Sequence, residues 1–251
     1  MADLVRQKCK EAEFSGGSDT LKLPQGVGFF KPEKGTNEIM ILPFTMSMKN
    51  MDGVDADTPW YRMRVLKHFR IGAEDKAYIC PRTIGKECPI CQYRNTLLDN
   101  GRDTQDAEVK ALTARKRDIF NVLDMNDENA GIKIWEVSYH NFGAKLEEEI
   151  RASDNDPDKS HYAAFADPDQ GSVLSIRMKQ ATIGQQKFLE CSRIDFNQID
   201  EPLSDDILDS VVPLDQCIVV LPYEELKRIF YDMQEPTAGD DSEDEEKPAV
   251  S

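Results

Sequence analysis

Short runs of period-two hydrophobicity alternate along this chain with polar, turn-rich connections, the pattern of a β-rich protein. NEIMILPF (37–44) predicts a strand stopped by Pro43, and WYRMRVLKHF (60–69) predicts a second strand. RDIFNVLDMND (117–127) and AGIKIWEVSY (130–139) predict adjacent strands across a short polar turn. SVLSIRMKQ (172–180) and QKFLECSRIDF (186–196) predict a hairpin, with Leu174, Ile176 and Met178 on one face and Ser175, Arg177 and Lys179 on the other. Helices are predicted at Leu4–Phe14, over CQYRNTLLDNG (91–101) with Gly101 as its stop, over FGAKLEEEIRA (142–152), and over the amphipathic PYEELKRIFYDM (222–233). Residues 45–59 read as a surface loop, and 103–116 as a helical or loop element. The strand face shared by Trp60, Arg62, Arg64, Leu66 and His68 looks odd for a core and suits a surface that meets something anionic and flat.

One constellation carries clear chemistry. His68, Cys80, Cys88 and Cys91 are spaced H-x11-C-x7-C-x2-C, with Pro89 inside the last pair. A tight C-P-x-C turn aims two thiolates at one point, and three Cys with one His make the closed tetrahedral set of a structural zinc. The reading is one structural Zn2+ in a reducing compartment, because the other cysteines, Cys9, Cys191 and Cys217, are scattered. A catalytic zinc of the deaminase type is disfavoured: His68 is followed by Phe69 and Arg70 rather than by x-Glu, and Glu87 stands where a Pro would precede Cys88. No catalytic residue is assigned, and the chain is read as not an enzyme.

Charge sharpens the picture. The formal net charge is −16, yet residues 60–117 carry 13 bases and 7 acids, whereas residues 118–251 carry 11 bases and 31 acids. A basic segment lies between acidic ones, and local field rather than overall charge steers a partner. QEPTAGDDSEDEEKPAVS (234–251) holds seven acids, one Lys and no aromatic residue, the composition of a disordered tail. Such a polyanion could mimic nucleic acid in a basic cleft. No run of about 18 apolar residues is present, so no membrane partner is expected.

The zinc stretch also resembles a known family, the single-stranded DNA-binding (helix-destabilising) proteins of T-even-type bacteriophages. Lys76-Ala77-Tyr78-Ile79-Cys80 and Cys88-Pro89-Ile90-Cys91-Gln92-Tyr93 are similar to that family's metal segment, in the same His-Cys-Cys-Cys order. The likeness continues through Ala114 to Leu123, Gly131 to Trp135, and Phe142 to Lys145. It implies a mainly β (α+β) fold: an OB-fold-like barrel over residues 27–233 with an inserted zinc subdomain at about 68–100. It further implies a self-associating N-terminal segment (1–26) and an acidic tail (234–251) that recruits replication and recombination proteins. The function implied is sequence-independent binding of single-stranded DNA in phage replication, recombination and repair, in the cytoplasm of the infected bacterium. Arg62, Arg64, Lys67, Arg94, Arg115, Lys116, Arg117, Arg177 and Lys179 are then candidates for phosphate contacts, and Trp60, Tyr93, Phe120 and Tyr139 for base stacking. The family's basic N-terminal arm has no clear match, since MADLVRQKCK offers only Arg6, Lys8 and Lys10. The competing reading is a zinc-stabilised protein-interaction adaptor that binds no nucleic acid.

Overall fold

The structure, a computed structural model, describes residues 20–127, 131–184 and 186–232. The N-terminal helix and acidic tail read from the sequence lie outside these residues. The described chain is mixed α+β and dominated by one sheet. Its strands are β1 (Gly28–Phe29), β2 (Gly35–Leu42), β5 (Met63–Ile71), β6 (Lys76–Ile79), β7 (Arg115–Asp124), β8 (Ile132–Ser138), β9 (Ser172–Ile183) and β10 (Gln186–Gln198). A separate two-stranded ribbon pairs β3 (Phe44–Thr45) with β4 (Pro59–Trp60). The helices are α1 (Pro89–Asp99), α2 (Ala107–Leu112), α3 (Ala144–Ser153), α4 (Asp205–Asp209), α5 (Leu214–Cys217) and α6 (Tyr223–Tyr231). None is long and apolar enough to cross a membrane.

Strand β7 organises the sheet. One of its edges pairs with β8 over Arg117–Leu123. The other pairs with β5 over Arg115–Ile119 and then with β2 over Asn121–Asp124. From β2 the sheet passes to β9 and the long β9–β10 hairpin. The strands expected from hydrophobic periodicity are present, but the expected barrel is not closed: among the described residues no pairing joins the β10 edge back to β1 or β6. The segment between β8 and β9 does the covering instead. Its Phe142, Leu146 and Phe165 seal an apolar core against Ile39, Ile41, Phe120, Val122, Trp135, Leu174 and Ile176. A second core, on the opposite face, packs Met63, Val65, Ile119 and Ile134 against Phe44, Met46, Val212 and Leu214.

Strand alternation decides which β7 side chains go where. Phe120 points into the first core and is fully buried, 6.0 Å from Trp135 and 5.6 Å from Phe142 between ring centres. It cannot offer a face to a nucleic-acid base, which corrects its place among the stacking candidates. Its neighbour Asp118 is also fully buried and faces the turn Tyr139–Gly143 that leads into α3. At Gly143 a Cβ would overlap the Asp118 carboxylate, so the close approach of this turn to β7 requires glycine. Gly143→Ala is expected to destabilise the protein by roughly 1–3 kcal/mol, the usual cost of overpacking, read as a lower midpoint in urea unfolding.

Candidate metal centre and its charged surroundings

The four metal-ligand candidates come from three local structures that converge. His68 lies near the end of β5, just before the β5–β6 register shift, where Arg70 (φ 59) and Gly72 (φ 70) turn the chain left-handed. Cys80 directly follows β6, and its backbone N–H donates to the Leu66 carbonyl (2.8 Å). Cys88 is the N-cap residue of α1, with Pro89 at the first helical position and Cys91 in the first turn. A helix N-terminus favours negative charge, which suits thiolate ligands there.

All four side chains are buried and form no disulfide, and their ligand atoms all lie within 4.8 Å of one another. Cys80 Sγ and Cys91 Sγ are 3.6 Å apart, and His68 Nε2 is 3.4 Å from Cys88 Sγ and 3.6 Å from Cys91 Sγ. Metal–ligand bonds of about 2.0–2.3 Å in a tetrahedron give ligand–ligand edges of roughly 3.4–3.8 Å, so the set can hold one metal ion. His68 Nδ1–H donates to the Leu112 carbonyl (3.0 Å), which fixes the tautomer and turns the Nε2 lone pair toward the cysteines. Burial works to lower the His68 pKa, but its hydrogen bonds with Cys88 and Cys91 outweigh this and push it up to about 9. Hydrogen bonds from Cys80 and Cys88, with a further one from His68, lower that of Cys91, while contacts with Cys88 and Cys91 raise that of Cys80. A bound cation would replace these shared protons. The module is larger than the segment expected from the motif: Leu112 and the α6 residue Leu226 share its apolar core.

Four residues before His68, the same face of β5 carries a buried charge network. Arg64 donates in bidentate fashion to Asp118 (Nε–Oδ1 2.7 Å, Nη2–Oδ2 3.1 Å) and also to Asp52 and Glu147 (both 2.9 Å). Arg62 donates in bidentate fashion to Asp52 (2.7 and 3.0 Å) and lies 2.7 Å from Glu147. Trp60 Nε1–H donates to Asp52 (3.1 Å), and Tyr139 O–H to Glu147 (2.9 Å). Lys67, on the opposite face, is buried against Glu136 (2.9 Å), which also accepts from Arg117 (3.0 Å). Arg62, Arg64 and Lys67 are therefore not an open cationic strand face. A buried cation must be matched by a carboxylate, and here each one is. Burial opposes ionisation of Glu147, but the hydrogen bond from Arg64, the adjacent Arg62 guanidinium and the Tyr139 hydroxyl hold its pKa at about 2.

The remaining candidates lie nearer solvent. Arg115 and Lys116 are exposed, and among the described residues neither has a carboxylate at ion-pair distance. Lys116 sits over the Tyr139 ring (5.4 Å) and Arg115 over the Phe69 ring (5.7 Å). Phe69 was not singled out from the sequence; its place next to the candidate ligand His68 on a strand facing β7 was the available signal. Arg94 donates to Thr113 (2.9 Å). Tyr93 contacts Phe230 and Tyr231, on the seam between α1 and α6, and donates to Glu108 (3.1 Å). Arg177 and Lys179 are exposed on the β9–β10 hairpin, where Lys179 lies 3.7 Å from Glu190. No family model matches the chain, and no curated protein does.

Two outcomes follow from this geometry. The protein is expected to bind one metal ion per chain, measured by inductively coupled plasma mass spectrometry, and the Cys88→Ser/Cys91→Ser variant to bind none. The depressed Glu147 value predicts acid sensitivity. Its contribution is present above its unfolded pKa and is lost as pH falls toward about 2. Urea midpoints measured from pH 6 to pH 3 should therefore fall less in Glu147→Gln than in the wild type.

Proposed function

We propose that the chain is a single-stranded DNA-binding protein whose binding surface is shaped by one structural zinc ion. The observation that carries this reading is the pair of cations at the start of β7 that meet no carboxylate among the described residues, each set against a ring: Lys116 on Tyr139 and Arg115 on Phe69. Single strands are bound by cations that track phosphates and by rings on which bases stack. Both cations lie beside the strand that supplies His68 and within the basic segment 60–117, so a metal that clamps β5, β6 and α1 would also hold the binding surface in shape. The borderline-soft Cys3His donor set favours Zn2+, and four protein ligands leave no open position, so the ion's role in this reading is structural.

The resemblance extends the proposal. In it the sheet and its covering segment serve as an OB-like core, the acidic segment 234–251 engages replication and recombination proteins, and the site of action is the cytoplasm of an infected bacterium. The adaptor reading makes the basic segment a solvated face and expects no oligonucleotide binding.

The test is fluorescence-anisotropy titration of labelled oligo(dT) with metal-loaded protein over a series of salt concentrations. The wild type is expected to bind and to weaken steeply with salt. Arg115→Ala/Lys116→Ala should flatten the slope of log affinity against log salt by about 1.4, two phosphate contacts on a single strand. Tyr139→Ala should cost about 1–3 kcal/mol if it stacks a base. No binding by metal-loaded wild type would overturn the proposal in favour of the adaptor.

A further inference from the structure

Asp52 is held in an unusual way for a loop residue. Its two carboxylate oxygens accept four hydrogen bonds: Oδ1 from Arg62 Nη2 (3.0 Å) and Arg64 Nη1 (2.9 Å), and Oδ2 from Arg62 Nε (2.7 Å) and Trp60 Nε1 (3.1 Å). A planar guanidinium fork, a second guanidinium and an indole N–H around one two-oxygen monoanion is the donor geometry that also recognises a phosphodiester. The charge balance points the same way. Two guanidinium groups face three carboxylates, and Asp118 and Glu147 alone would neutralise them. Asp52 is the surplus anion.

Asp52 is also the partner best placed to leave. Asp118 is on β7 and Glu147 on α3, whereas Asp52 is at the tip of the 46–58 loop beside the exposed Met51. The Asn50 side chain caps that tip by accepting from the Asp52 and Val54 N–H groups (2.9 and 3.0 Å), so the Asp52 side chain can swing outward with its turn intact. Arg62 lines a groove of about 950 Å³ whose walls include Trp60, Tyr61 and Phe165. Its Nη1 is buried without a well-aligned hydrogen bond, although Glu147 is close.

We propose that Trp60, Arg62 and Arg64 form a phosphodiester site that Asp52 fills in the free protein and yields to a nucleic-acid phosphate. This rests on the single-strand reading and adds to it a self-masking device: the arginines that the fold buries become contacts once a strand arrives. A phosphodiester carries the same single charge and two free oxygens, so the exchange leaves no buried cation unmatched.

The experiment compares oligo(dT) affinity across salt for wild type, Asp52→Ala and Asp57→Asn, the last removing a loop charge that makes no contact with the arginines. Asp52→Ala is expected to bind about fivefold tighter at low salt with a slope steeper by about 0.7, one extra phosphate. Asp57→Asn should stay near wild type. In the wild type, the Trp60 indole N–H resonance, assigned through Trp60→Phe, should shift on saturation with oligo(dT) while that of Trp135 holds. This arm decides the matter if Asp52→Ala does not fold. Asp52→Ala binding like the wild type, or no better than Asp57→Asn, would overturn the proposal, as would an unmoved Trp60 resonance. Pyrophosphate titrated into Asp52→Ala and followed by Trp60 fluorescence separates the two readings. A response without oligo(dT) binding by the wild type keeps the anion site and removes the DNA reading; no response removes the site.

Discussion

The bidentate pair between Arg64 and Asp118 is the contact around which this molecule is arranged. The two residues are direct cross-strand partners on β5 and β7, both buried, at the point where an apolar core gives way to charge. Two ions taken out of water on facing strands repay their desolvation only if the geometry is good and the remaining donors are met. Meeting them draws in Glu147 from α3, Asp52 from the 46–58 loop, and the tight turn at Gly143. The helix that covers the sheet and the loop that crosses its rim are thus positioned by one electrostatic requirement.

The metal candidate site continues the same strand face. Arg64, Leu66 and His68 follow one another at period two, so the charge network and the His ligand share a rigid support. Cys80 is tied back to Leu66, and the Leu112 carbonyl orients His68, so the chain on both sides of α1 and α2 converges on one point. With four donors buried within 4.8 Å of one another, an ion there would fix β5, β6 and α1 relative to the β7 end that carries Arg115 and Lys116. Arg115 and Lys116 lie where β7 runs beyond the ion network, and there they rest against rings.

The sequence by itself determined the main strands and the candidate metal ligands, because both are local signals. Period-two runs such as Leu174, Ile176 and Met178 bury one face wherever the strand sits, and a C-P-x-C turn at a helix start brings its two thiols together without help from distant residues. The tertiary structure alone decided which charges are available. Arg62 and Arg64 lie on one strand face and read as an anion-binding surface, but their partners Asp52, Asp118 and Glu147 are up to 85 residues away, and no periodicity announces them. Phe120 and Tyr139 look alike as aromatic candidates in sequence; the turn at Tyr139–Gly143 leaves one ring beside a lysine and the core encloses the other. Whether the sheet closes was equally beyond local pattern, since it depends on Phe142, Leu146 and Phe165 covering a face that another strand would otherwise have met. Hydrophobic alternation is set by neighbours in the chain, whereas the pairing of buried charge is set by neighbours in space.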